Sequence, residues 1–287
     1  MEIKSFIKEI LGKDAKVVER QKGGMMNESY IISCKDKKYI LFVPTPQANE
    51  MVNRFVEREA QDIAWHLKLT SKNVYFDIET GVKMHEFIDG YSLNHVENPD
   101  INRIAGLLKY FHNSPTLATV DYHPFARLAS FEKEAKHYTR KVPGNYELLR
   151  NVINQERDFL ESQEKCLCHN DAQKSNIVKE LPTDKYYLID FEFAANNDPI
   201  YDIAAYGNGK VSEGRELLDA YYGNPTKDEI KRFYLWRIFL SLQWYTVAII
   251  KHYRGEGVKH GYDFLEVANF FLANGMDAYN GYKKECK

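Results

Sequence analysis

The sequence predicts an α+β architecture in two parts, a small antiparallel sheet carrying one helix ahead of a larger, mainly helical region. Three observations lead there: β-rich runs separated by turn residues fill positions 14–87, one amphipathic helical stretch interrupts them, and helical periodicity dominates from Pro99 onward. Ile88-Asp89-Gly90 reads as the hinge, which divides the chain into domains 1–88 and 89–287.

Each element has a local reason. Ile3, Phe6, Ile7, Ile10 and Leu11 keep a helical period, so the first residues belong to the fold. Strands are expected over Val17–Gln21, Ser29–Cys34 and Lys38–Val43, turning at Gly23-Gly24 and Lys35-Asp36-Lys37. Pro44 and Pro46 stop the third strand, and Asn49 is expected to open a helix to about Leu67, after which strands follow near Val74–Ile78 and Val82–Phe87. Helices are then expected near 101–113, 130–138, 145–162, 200–207, 213–222, 226–253 and 261–280, interrupted by one hairpin, Ile177–Lys179 with Tyr186–Ile189.

Composition narrows the function classes. With 44% hydrophobic and 28% charged residues the chain has material for a substantial core and is not disordered. A net charge of −2 without blocks of like charge excludes an electrostatic nucleic-acid footprint. The longest apolar stretch, Leu235 to Ile250, is broken by Arg237 and Gln243 and is shorter than the roughly 20 residues of a spanning helix, so it reads as a buried helix rather than a membrane segment. Cys34, Cys166, Cys168 and Cys286 show neither a metal-binding C-x-x-C pair nor a disulfide framework; with no secretory signal at the N-terminus, a reducing cytoplasmic setting is expected. The expected partner is a small molecule.

The chemistry concentrates in His169-Asn170-Asp171-Ala172-Gln173-Lys174-Ser175-Asn176, followed fourteen residues after Asn176 by Asp190-Phe191-Glu192. If the intervening runs pair as a hairpin, Asn176 at the entry of one strand and Asp190 at the exit of the other share one end. Their amide and carboxylate oxygens suit Mg²⁺, which takes its remaining ligands from water and substrate phosphates. Asp171 is then a base for a hydroxyl that attacks a γ-phosphate, and His169 braces the loop. Taken singly these residues are ordinary turn formers; jointly they point to phosphoryl transfer.

These motifs resemble those of the choline/ethanolamine kinases, within the wider group of aminoglycoside phosphotransferases and small-molecule kinases that share the protein-kinase-like fold. The resemblance rests on Cys168-His169-Asn170-Asp171 with Asn176, on Ile189-Asp190-Phe191-Glu192-Phe193, and on Asn197-Asp198-Pro199 with Tyr201-Asp202-Ile203-Ala204. It implies a two-lobed fold, a sheet-bearing nucleotide lobe and a helical lobe holding the catalytic loop and acceptor pocket. It also implies Asp171 as catalytic base, Asn176 and Asp190 as Mg²⁺ ligands, and Glu192 as a supporting acid. Gly23, Gly24 and Asn27 resemble the phosphate-covering turn, Arg54 and Glu57 the family's R-x-x-E on the lone helix, and Glu86, Phe87 and Ile88 a hinge offering backbone groups to the adenine of ATP.

The sequence departs from the pattern at the third strand. The family carries a basic residue there for Glu57 to hold, and this chain has Phe42. Lys38 shares the parity of Phe42 but lies about 13 Å away along a strand; Arg54 is the other candidate.

The acceptor pocket is expected from the last third of the chain. Trp236, Leu240 and Trp244 share a helical face, a spacing that by itself belongs more often to core packing than to a cage. The resemblance favours a cage, because choline kinases hold a quaternary ammonium with aromatic rings, and a trimethylammonium donates no hydrogen bond. The expected cage is Trp244, Trp236 and Phe193, then Tyr206 and Tyr201, with Asp198 or Asp202 adding charge unless Asp202 caps the following helix. The resulting reading is an ATP- and Mg²⁺-dependent kinase of choline, as monomer or homodimer. Ethanolamine, an aminoglycoside or another small alcohol are the alternative acceptors; Arg237 on the same helix speaks against a polycationic one. A non-catalytic nucleotide or choline binder, motivated by Phe42, is the reading from another class.

Overall fold

The computed structural model describes residues 2–21, 27–45, 48, 52–257, 261 and 263–287. By contact the chain forms two compact units, one of residues 1–99, 118–120 and 174–195, the other of 100–117, 121–173 and 196–287. Gly23 and Gly24 fall outside the described residues.

The first unit opens with α1 (Ile3–Leu11), followed by β1 (Lys16–Gln21), β2 (Asn27–Cys34), β3 (Lys37–Pro44), α2 (Arg54–His66), β4 (Asn73–Phe76) and β5 (Lys83–Glu86). The strands form one antiparallel sheet in the order β1-β2-β3-β5-β4. Strand alternation gives it two different faces. Ile32, Leu41 and Met84 are fully buried on one face and pack with Ile7 of α1. Burying such side chains stabilises by about 1.5–3 kcal/mol each. Phe42 and Lys83, register partners one residue on, take the other face, where Lys83 meets Glu57 of α2. Asn49, where the helix is expected to open, lies outside the described residues; Asn53 caps α2 and accepts from the Val56 amide.

The hairpin at 177–189 joins this unit although it follows much of the helical chain. β6 (Gly90–Ser92), too short to show in the sequence pattern, pairs with β8 (Ile177–Glu180), itself paired with β9 (Tyr186–Leu188). Gly90 is required by that pairing: a Cβ there would sit 2.2 Å from the Lys179 carbonyl oxygen.

The second unit contains α3 (Ile101–His112), α4 (Pro124–Tyr138), α5 (Gly144–Gln155), α6 (Arg157–Glu161), the short strands β7 (Cys166–Cys168) and β10 (Ala195–Asn197), α7 (Pro199–Tyr206), α8 (Val211–Tyr222), α9 (Lys227–Tyr253) and α10 (Phe264–Cys286). Helix α4 starts earlier than its apolar period indicates because Pro124 sits in its first turn, where a missing N–H costs nothing. A reciprocal capping box between Thr226 and Glu229 starts α9. This helix is long and apolar enough to cross a membrane, yet 83% of its most apolar window is buried in the protein, as expected of a core helix. Arg237, fully buried on it, binds the Ala204 carbonyl, Asn274 and Ser241. Burial pulls its pKa down to about 9. All four cysteines are free.

Gly90→Ala should lower stability by about 1–3 kcal/mol, the cost typical of overpacking, read as a shift of the urea midpoint at unchanged slope. A midpoint equal to the wild type's would show that β6 moves off β8 freely.

Candidate active site

In the first unit the D-x-E segment, α2 and β5 converge on one buried ionic cluster. The Lys83 ammonium, 2% exposed, binds Glu57 and lies 3.2 Å from Glu192 Oε1 and 3.8 Å from Asp190 Oδ1. Arg54 Nη1 joins the same carboxylates, 2.7 Å from Glu57 and 3.1 Å from Glu192, and Asn27 donates to Glu192 at 2.7 Å. Glu57 and Arg54 are therefore interior groups rather than a solvated helix face, being 1% and 5% exposed. Burial alone would lower the Lys83 pKa, but Glu57, Glu192 and Asp190 outweigh it and hold the ammonium above its ordinary value. Glu192 is likewise pushed up by burial and brought below its ordinary value by Lys83, Asn27 and Arg54.

Asp190 is the cluster's open edge, with 43% of its side chain exposed. Surrounding protein and the Glu192 charge push its carboxyl up to about 7. Two cations face three carboxylates, so full ionisation leaves one excess negative charge. That excess, and the oxygen donors of Asp190 and Asn176, fit a hard divalent cation. Asn176 is placed by the hairpin as its spacing predicts: its carbonyl accepts from the Ile189 amide at 3.0 Å, at the same hairpin end as Asp190. The half-buried Phe193 follows Glu192.

At the hinge, the Glu86 amide donates to the Lys72 carbonyl and the Phe87 amide to the Lys38 carbonyl. These two N–H groups are engaged within the unit, which withdraws them as adenine donors. Lys38, one expected substitute for the missing cation, is exposed, and its ammonium lies 5.9 Å from the Phe87 ring centroid.

In the second unit the loop carrying Asp171 is held by Asp202. Its carboxylate accepts from the His169 amide at 2.7 Å and the Asn170 amide at 2.6 Å, and pairs with His112 at 3.0 Å. Asp202 thus braces the Asp171 loop and is not the helix cap; that role falls to Asp198, which accepts from the Ile200 amide. Asn197 donates to Asn170 Oδ1 at 2.8 Å, and Gln173, which takes a hydrogen bond from Asn208, donates to Asp171 Oδ2 at 3.2 Å. His169 is fully buried and Asp171 is 7% exposed. Asn170 and Asp190 both adopt positive φ, at 61° and 65°, a left-handed conformation that Asn and Asp accept better than other non-glycine residues and that concentrates at functional turns.

The aromatic stripe divides. Trp236 and Tyr201 are 1% and 0% exposed, pack 5.1 Å apart by centroid, and join Phe125, Tyr122 and Phe239 in a core; Tyr206 is 2% exposed. Asp198 is occupied by Trp236 Nε1 at 2.8 Å and by Arg232 at 3.1 Å. Trp236 and Asp198 line a cavity of about 130 Å³ together with His123 and Lys165. Trp244 is half-buried against Phe271. Arg237 faces the interior, so its charge does not bear on the choice of acceptor.

Sequence reasoning missed Lys83 and misjudged Asp202. The signal for Lys83 lay in strand pairing, which sets residue 83 opposite residue 42.

The description "Choline/ethanolamine kinase" belongs to the family whose model matches residues 18–212. Protein LicA of Haemophilus influenzae is 24% identical over 250 residues, covering 82% of this chain and 73% of LicA. The crystal structure of the choline kinase LicA from Streptococcus pneumoniae superposes with a TM-score of 0.74 at 24% identity, covering 98% of both chains. A structure of LicA in complex with AMP gives 0.75 at 24% identity, covering 99% of this chain and 97% of that one. The fold is kinase-like and the protein is a small-molecule kinase. It belongs to the choline/ethanolamine kinase family.

Asp202→Ala removes the acceptor of two buried amides and the partner of His112, which should destabilise the second unit by about 1–3 kcal/mol or more, checked by thermal and urea unfolding. Unchanged unfolding would show that water replaces the carboxylate.

Proposed function

We propose that the protein transfers the γ-phosphoryl group of ATP to the hydroxyl of choline. The observation that carries this reading is the Asp171 loop, whose backbone is fixed by Asp202, in a chain of the choline/ethanolamine kinase family. A loop built to hold a buried carboxylate serves a base, and a mere nucleotide binder has no need of one. The neighbouring LicA structures support the choice of ligands, one being a choline kinase and the other a complex with AMP.

In this reading the hydroxyl oxygen attacks the γ-phosphorus in line, its proton passes to Asp171, and ADP leaves. Positioning and electrostatic stabilisation supply most of the rate. Asp190 and Asn176 would hold Mg²⁺, which neutralises phosphate charge when bound. Glu192 and Glu57 fix the cations around Asp190, and Asn27 steadies Glu192. Residues 1–88 bind the nucleotide, and 89–287 supply the base and the acceptor pocket. Trp244 and Phe193, the half-buried members of the predicted cage, would face the quaternary ammonium, each face-on contact contributing about 0.5–2 kcal/mol. Trp236, Tyr201 and Tyr206 support that pocket from the core.

ADP release measured with choline, ethanolamine, an aminoglycoside and no acceptor tests the reading. Choline should give the highest kcat/KM, and equal turnover of ethanolamine would remove the cage from the account. Asp171→Ala should lower kcat by about 10²–10⁴-fold, the usual contribution of a positioned base, with unfolding unchanged; a rate near the wild type's sinks the assignment. Trp244→Ala should raise the choline KM by up to about 30-fold, the equivalent of about 2 kcal/mol, and leave the ATP KM in place.

A further inference from the structure

Lys83 and Phe42 are direct partners across β3 and β5, so their side chains leave the sheet on one face. The ammonium of Lys83 stands 5.3 Å from the Phe42 ring centroid. A cation on β5 therefore occupies the space into which a long side chain at position 42 would extend. We infer that Lys83 is the phosphate-binding cation of this enzyme, relocated from β3 to the facing position on β5, with Phe42 as the apolar wall beside it. The inference rests on the ATP-dependent kinase reading.

The contacts of Lys83 support a ligand-facing role. An ammonium has three donors. Glu57 takes one and Glu192 another, while Asp190, at 3.8 Å, lies beyond hydrogen-bond reach. The remaining donor can serve the side on which Asp190 is exposed, where an anion can enter. Structural duty alone gives little reason for this cluster, since well-packed apolar residues often replace buried ion pairs without loss of stability. Arg54 binds both Glu57 and Glu192 through Nη1 and so ties together the two carboxylates that hold Lys83. Lys38 stands elsewhere, against Phe87. Glu57 then orients Lys83, Glu192 holds it from the D-x-E segment, and phosphate oxygens complete its donors.

Four proteins test this: wild type, Lys83→Met, Lys83→Arg and the exchange variant Phe42→Lys/Lys83→Met. Each is assayed for Mg·ATP affinity by calorimetry, for choline-dependent ADP release, and for thermal unfolding. Lys83→Met should lower kcat/KM for ATP by about 10²-fold or more, as loss of one preorganised phosphate contact does, with the choline KM changed by less than about threefold. Lys83→Arg should retain more activity than Lys83→Met. The exchange variant should recover about tenfold or more of the loss, because its ammonium returns from the opposite register position. Folded Lys83→Met with wild-type ATP affinity and turnover overturns the inference and leaves the kinase reading standing. A wild type that binds no ATP overturns both. Should Lys83→Met unfold at the assay temperature, the exchange variant decides alone: turnover supports the inference, and a folded but inactive protein refutes it.

Discussion

The meeting of Lys83, Glu57, Glu192 and Arg54 is the constraint on which the sheet-bearing unit depends. It joins a strand, the helix over that strand and the segment after the hairpin, three elements with little else in common. Removing Lys83 or Arg54 leaves carboxylates uncompensated at low dielectric, which costs about 3–5 kcal/mol. The elements are therefore tied to one arrangement, and the Asp190 edge is held where the cluster opens to solvent. A device that would be neutral as mere stabilisation becomes useful because it fixes an unbalanced charge at a defined place.

The helical unit uses the same physics on a smaller scale. Asp202 accepts two consecutive amides of the Asp171 loop, as a carboxylate does at a helix N-terminus, and His112 with Tyr221 completes its shell. The loop takes a left-handed step at Asn170, a conformation that asparagine adopts more readily than most residues but that still has a cost. The bonds from outside the loop offset that cost and set the Asp171 carboxylate.

The aromatic helix shows where pattern reading reaches its limit. Period 3.6 places Trp236, Leu240 and Trp244 on one face, and both a packed interior and an open cage require that. Trp236 and Tyr201 are interior while Trp244 is half-buried, although Thr246 and Ala248 to Ile250 beyond it on α9 are buried again. Arg237 went the same way: its charge looked like a statement about the acceptor and is a bracket between α7, α9 and α10.

Local sequence determined the element types, the order of sheet and helices, and the motif at 169–176 and 190–192 with its family, because periodicity, turn residues and short spacings act over a few residues. The same-end placement of Asn176 and Asp190 was legible too, since a hairpin is local. Only the tertiary structure decided which cation serves Glu57, what Asp202 does, and which rings are core. Those outcomes depend on strand register and helix packing between positions such as 42 and 83 or 112 and 202, and no local propensity carries that information.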